Sequence, residues 1–295
     1  MKIKLFVTLI VGLVMVTDPV CAKKKLNNTF YVQNTMDGFK NGPKTALDKA
    51  KLLKTLGYNG LEGFGYKGFF ELKNALDKEG LGMPANYVAL NFEADGKLEN
   101  TSANEIEAMI KASAKGSVIY FHLHSNSYKD DKETGDKMVA SILRDLSDYS
   151  STFCVKLCTY PHISFYCETL AHSVKLAKLV DRKNFGAAMN LCHLLKVEGS
   201  ADIAGKVKEY APWLFAVNIC GADDGDTKQL GWNNLIQPLG QGSFDTYQVV
   251  KLLIDNGYSG PIGIQCYNLK GDAIETLTRS METWKEYKRR YINEK

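Results

Sequence analysis

Leu56-Gly57-Tyr58-Asn59-Gly60-Leu61-Glu62 and Asn256-Gly257-Tyr258-Ser259-Gly260-Pro261-Ile262 are two versions of one junction. In each, a helical period stops at a glycine, whose missing Cβ makes the left-handed cap conformation cheap. A β-prone run begins within the next few residues. Upstream of the first junction, Ala46, Leu47, Ala50, Leu53 and Leu56 share one helical face, while Asp48, Lys49, Lys51 and Lys54 lie outside it. Working outward, β-prone runs begin near Phe30, Tyr58, Pro84, Ser117, Phe153, Phe185, Leu214 and Pro261. Between and after them come helical periods at 44–56, 69–78, 103–115, 131–147, 164–180, 201–210, 244–255 and 272–291. Each interval holds one strand and one returning helix. Eight such units predict an α/β fold, a (β/α)8 TIM barrel, for which ~250 residues are typical. A doubly wound open sheet is the alternative, but no Gly-x-Gly-x-x-Gly turn follows the first strand to support its nucleotide-binding form.

The chain has 295 residues, 45% hydrophobic and 24% charged, which excludes a disordered, fibrous or multi-span membrane protein. Residues 1–22 read as a secretory signal peptide: Lys2 and Lys4 precede an apolar run from Leu5 to Val16, and Val20-Cys21-Ala22 suits cleavage after Ala22. The run is too short for the roughly 20 residues of a membrane-spanning helix, and lipidation at Cys21 is a weaker alternative without a small-residue lead-in. Removing 22 of the 295 residues leaves a single domain, 23–295, of 273 residues, or about 34 per unit. The expectation is a periplasmic or secreted protein with no membrane attachment after cleavage; assembly into identical copies is left open. Lys plus Arg number 37 against 33 Asp plus Glu, spread along the chain, so no basic stripe points to nucleic acid. The six cysteines after Cys21 show no zinc-knuckle spacing and read mainly as buried thiols.

In a barrel of this kind, polar residues at the carboxyl ends of strands converge on one pocket. The candidates are Glu62, His122, His124, Tyr160, His162, Asn190, His193, Asn218 and Gln265. Four of the five histidines fall in this set, which favours function over structure for at least two of them. The Asp- and Gly-rich segment 222–242, with Asp223, Asp224, Asp226, Trp232 and Gln241, follows the seventh strand and reads as a lid. Phe64, Tyr66, Trp232 and Tyr267 offer faces on which a sugar stacks. Lys270 is a further candidate, for an anion or a carbonyl.

Tyr160-Pro161-His162, Asn190-Leu191-Cys192-His193, Asn218-Ile219-Cys220-Gly221-Ala222-Asp223, Pro238-Leu239-Gly240-Gln241-Gly242-Ser243-Phe244-Asp245 and Gly263-Ile264-Gln265, in this order, resemble the sugar phosphate isomerase/epimerase superfamily, the xylose isomerase-like TIM barrels. The resemblance covers almost the whole chain after residue 22. It implies proton transfer between carbons next to a carbonyl, assisted by a divalent ion held on strands five to eight. It also implies an aspartate where Asn190 stands, a histidine where Asn218 stands, a glutamate where Gln265 stands, and a glutamate that Cys158-Thr159-Tyr160 lacks; His193 is kept. Hard divalent ions prefer anionic oxygen, so a superfamily-type site is not expected. No cofactor is certain and a divalent metal ion stays open; if one is present, a softer ion such as zinc is expected, with His124, His162 and His193 as its ligands.

The function expected from these residues is an exported sugar isomerase or epimerase acting on a small carbohydrate. His162, His193 and Glu62 are the catalytic candidates, and His124, Tyr160, Asn190, Asn218, Gln265 and Trp232 the substrate-binding ones. Two alternatives stay open: a lyase or hydratase acting on an oxidised sugar or keto-glycoside, and a non-catalytic sugar-binding barrel. No Gly or Arg cluster suited to a phosphate is evident.

Overall fold

The computed structural model describes residues 25–294; the expected signal peptide, 1–22, lies outside the described residues. The strands are β1 (Phe30–Val32), β2 (Gly60–Leu61), β3 (Gly63–Phe64), β4 (Ala85–Phe92), β5 (Leu98–Glu99), β6 (Val118–His124), β7 (Lys156–Thr159), β8 (Phe185–Asn190), β9 (Leu214–Ile219) and β10 (Ile262–Ile264). They form one sheet in the order β2-β1-β10-β9-β8-β7-β6-β4-β3. All neighbours on this path are parallel. Because β2 and β3 are two halves of one stave, divided at Glu62, the sheet closes on itself into eight staves. The expected TIM barrel is thus the observed fold.

The helices are α1 (Ala46–Leu56), α2 (Phe69–Lys78), α3 (Ala103–Ala112), α4 (Lys132–Ser151), α5 (Leu170–Val180), α6 (Leu191–Glu198), α7 (Ile203–Tyr210), α8 (Trp232–Leu235), α9 (Thr246–Asp255) and α10 (Ala273–Asn293). Gly57 and Gly257 both take left-handed backbone, at φ 84° and 88°, as the repeated junction requires. Thr45, Ser102, Asp131, Thr169, Asp202, Asp245 and Asp272 each accept a backbone N–H from the first turn of the helix that follows, satisfying donors the helix cannot. Besides two short 3-10 helices, Met36–Gly38 and Ala211–Trp213, the structure adds three elements to the expected set. α6 starts directly at the end of β8, α8 lies within the loop after β9, and β5 folds back antiparallel on β4. The expected helix at 164–180 begins only at Leu170, because Thr169 caps it.

Side-chain alternation along the staves divides the core in two. Ile119, Phe121 and Leu123 of β6 pack outward against the helices, among Val139, Leu143 and Leu176. Their alternates Val118 and Tyr120 point into the barrel, where they meet Tyr31, Cys158, Tyr160, Ala188 and Ala216. Gly263 permits this interior to fill: a Cβ there would lie 2.4 Å from Asn218 Oδ1 and 2.6 Å from the Tyr31 ring. The barrel is therefore plugged below by aromatic rings, and space remains only above them. The six described cysteines are free thiols, five of them buried and Cys154 exposed.

Candidate active site

A cavity of about 980 Å3 opens at the carboxyl ends of the staves. Of the expected residues, Glu62, Tyr160, His162, His193, Trp232 and Gln265 line it, together with Phe64, Tyr66 and Tyr267. His124, Asn190, Asn218 and Lys270 are not in its lining.

Glu62 sits at the break between β2 and β3, 1% exposed. Gln33 Nε2 donates to its Oε1 at 3.1 Å, and the Asn34 backbone N–H donates to its Oε2 at 3.3 Å. Burial penalises the carboxylate more than these two hydrogen bonds favour it, so its pKa is pushed up to about 8. Near neutral pH the group is a carboxylic acid, able to donate a proton into the cavity. The adjacent Gln33 Oε1 is buried without a partner among the described residues, an acceptor left open at the same wall.

His193 stands on the opposite wall, and His162, after β7, stands beside it. β8, which leads into α6 and His193, lies four staves from the Glu62 stave in either direction around the barrel. His162 and His193 have ring centroids 4.0 Å apart. His162 Nδ1 lies 2.7 Å from the Ile163 carbonyl oxygen; a carbonyl only accepts, so this nitrogen carries the hydrogen and Nε2 keeps a free lone pair. His193 Nδ1 is buried with no partner among the described residues. Burial, reinforced by His162, pulls the His193 pKa down to about 3, and burial also lowers that of His162. Both imidazoles are therefore neutral near neutral pH. His122 lines the cavity as well, stacked on Tyr87 at 4.1 Å. Its Nδ1 lies 2.7 Å from His124 Nε2, so the two rings share one hydrogen, and His124 stands behind it.

The barrel floor is organised differently. Tyr31 OH donates to Asn218 Oδ1 at 2.9 Å, and Gln33 Nε2 donates to Tyr120 OH at 3.3 Å. The Asn190 amide donates to Tyr160 OH, while its Oδ1 accepts the Cys192 N–H at 3.1 Å, so the residue caps α6. Gln265 Oε1 accepts from Thr35 Oγ1 and the Tyr267 N–H, both at 3.0 Å. Asn190 and Asn218, expected to hold substrate, make these hydrogen bonds beneath the cavity and are not in its lining. These neutral groups stand where the resemblance implies a metal site, and their oxygens are already accepting hydrogen bonds. They do not fit a hard divalent ion.

The alternative histidine ligands do not converge either. Phe165 stacks on His162 at 3.9 Å and meets His124 at 4.1 Å, and His124 is turned onto His122. Among the described residues, no group of three or more His, Cys, Asp or Glu side chains is placed to hold a metal.

The 222–242 loop reaches the cavity through Trp232, whose ring lies edge-on to His193 at 5.5 Å, and through Ile236. Its carboxylates stay outside: Asp223 accepts from Asn234 Nδ2 at 2.7 Å and from the Ser243 N–H at 3.3 Å. Sequence reading missed Gln33, Tyr87 and Phe165. The first two were recoverable from strand phase, since Gln33 follows Tyr31 and Tyr87 follows Ala85 at the two-residue interval of inward positions. Among the described residues, Lys67 is the one lysine or arginine in the lining.

The family model for the xylose isomerase-like TIM barrel matches residues 50–287. No curated protein matches the sequence. Among solved structures, the chain is similar to the IOLI protein crystallised with a bound zinc atom, at 18% identity, 89% of this chain, 99% of that one and a TM-score of 0.68. It is similar to 3-keto-D-glucoside 4-epimerase, YcjR, from E. coli, at 18% identity, 87% and 98% coverage and a TM-score of 0.67. D-Psicose 3-epimerase with D-tagatose, from Clostridium cellulolyticum H10, follows at 14% identity, 90% and 99% coverage and a TM-score of 0.64. At these identities the structural likeness carries the fold alone.

Proposed function

The chain belongs to the xylose isomerase-like TIM barrel family, and on that premise we propose that it is a sugar isomerase or epimerase that moves a proton next to a carbonyl of its substrate. The observation that carries this reading is the opposition of one protonated carboxyl and two neutral imidazoles across a single cavity. Groups whose environments push their proton affinities apart are suited to complementary acid and base roles. The imidazole of His162 or His193 takes the proton from the carbon beside the carbonyl. The C–H electron pair becomes the new carbon–carbon double bond, and the carbonyl oxygen receives the Glu62 proton. For the isomer, the imidazolium then gives its proton to the former carbonyl carbon while the Glu62 carboxylate takes the hydroxyl proton from the neighbouring oxygen, which becomes the new carbonyl; for the epimer, the Glu62 proton goes instead to the same carbon from the opposite face, and exchange with solvent resets both groups. Solved relatives that are named as epimerases of keto-sugars and keto-glucosides support this reaction class.

A second reading rests on the same protonated Glu62. An enolate formed beside the carbonyl also expels an oxygen substituent one carbon further on, and a carboxylic acid at the opposite wall protonates that leaving group. The product is then an enone, and the enzyme a lyase or, in reverse, a hydratase. The basic and apolar pattern of residues 1–22 supports the further proposal that the protein acts outside the cytoplasm.

The deciding experiment incubates the protein with ketoses and 3-keto-glucosides in heavy water and follows the products by NMR. Solvent deuterium at the carbon next to the carbonyl, lost in His162→Ala or His193→Ala, is the expected result. An ultraviolet-absorbing enone moves the assignment to the lyase. No deuterium and no product from any substrate overturns both and leaves a sugar-binding barrel.

A further inference from the structure

The exposed apolar side chains of the described residues fall into two groups. The aliphatic ones, Leu47, Leu179, Ile274 and Ile292, are scattered over the outer helices α1, α5 and α10. The aromatic ones are gathered at one place. Phe64, Tyr66 and Tyr267, at 54%, 36% and 59% exposure, line the cavity. Phe70, the remaining exposed aromatic, packs edge-on against Tyr66 at 5.9 Å. Isolated exposed apolar groups need no explanation, whereas exposed aromatic side chains gathered around one cavity mark a binding surface.

This patch is continuous with the cavity. Phe64 packs on Tyr87 at 5.6 Å, and Tyr87 meets Tyr160 at 4.9 Å, so an aromatic track runs from the interior to the mouth. Polar groups border the mouth: Lys67, Asn100, Thr101 and Ser164. Asn100 and Ser164 hold left-handed backbone, at φ 66° and 65°, which a side chain makes costly and which gathers at ligand sites. Aromatic faces beside hydrogen-bonding side chains suit a pyranose, whose faces carry C–H bonds and whose rim carries hydroxyls. The volume, about 980 Å3, is at the upper end of the roughly 300–1,000 Å3 of small-molecule sites and exceeds what one sugar ring fills.

We infer that the cavity takes a glycoside of at least two sugar units. The reacting ring lies between Glu62 and the His162–His193 pair, and the next sugar stacks at the mouth on Phe64, Tyr66 and Tyr267. The inference rests on the proposed proton-transfer reading for the position of the first ring, and it extends that reading to the class of substrate.

Titration calorimetry of the full chain with glucose, cellobiose and maltose tests it. One disaccharide should bind about tenfold or more tightly than glucose, the contribution of one well-stacked ring. The double variant Phe64→Ala/Tyr267→Ala should remove that advantage and leave glucose affinity within about twofold, with an unchanged circular dichroism spectrum and Tm, because both side chains are exposed. Equal affinity for one and two rings, no binding of any of these sugars, or a disaccharide preference that survives the double variant overturns the inference. The heavy-water experiment fails independently: disaccharide preference without deuterium incorporation removes the catalytic reading, and incorporation without the preference removes the second sugar.

Discussion

The floor of the barrel and the wall above it are both built from buried polar side chains, yet they solve opposite problems. On the floor, Asn190 and Asn218 bind the hydroxyls of Tyr160 and Tyr31, neutral group to neutral group, and neither side chain reaches the cavity. On the walls, Glu62 and His193 are buried and His162 is half-buried, with few partners to hold their charged forms, and their proton affinities are displaced accordingly. A satisfied polar network stabilises and is chemically quiet; an under-satisfied one is where protons move. The positions that resemble a metal site by sequence carry neutral amides here, and the groups of the proposed proton transfer stand one layer higher.

Glu62→Gln should break this contrast most severely. With the substrate identified in heavy water, kcat/KM is expected to fall by about a hundred- to ten-thousandfold, the range for a lost general acid. The alkaline limb of the wild-type pH profile, near pH 8, should vanish from the residual activity. The same residue makes stability pH-dependent. Its folded pKa, about 8, lies above its ordinary value of 4.5, so the folded state binds more protons between these limits. The contribution is fully present below pH 4.5 and is lost as pH rises through about 8. The Tm advantage of Glu62→Gln over wild type should therefore widen from pH 5 to pH 8; an unchanged difference would show that Glu62 titrates normally.

Asn218→Ala probes the floor. Asn218 is fully buried, and its loss leaves the Tyr31 hydroxyl without its acceptor, which costs about 1–3 kcal/mol in denaturant unfolding. Activity per folded molecule should stay within about threefold. A large fall in kcat at unchanged stability would place the floor in the chemistry. The smallest expected effect is that of a chelator: because the floor offers no carboxylate, dialysis against EDTA should change activity by less than about twofold. A loss that zinc or magnesium restores would reunite the floor with the metal-holding relatives.

Much of this architecture was legible in the chain. The glycine-ended helices at Gly57 and Gly257 and the strand starts at Phe30, Phe185 and Leu214 follow from local rules of capping and periodicity. α6 was not legible, because Leu191 to Glu198 continues the apolar run of β8 without a break; the change of period rests on the Asn190 cap. The site was legible as a set of residue types at strand ends. It was not legible which of them face the cavity with spare hydrogen-bonding capacity. Glu62, Asn190 and Asn218 look alike along the chain, and they differ only in what the neighbouring staves bring to them.

The sequence by itself determined the alternation of strand and helix, the number of units and the phase that turns Tyr31, Tyr120 and Tyr160 inward, since these depend on contacts within a few residues. Tertiary structure alone decided that Phe165 parts His124 from His162, that Tyr31 takes up Asn218 across 187 residues of chain, and that Glu62 is held protonated. Those outcomes depend on desolvation and on partners from distant staves, and no local pattern encodes either.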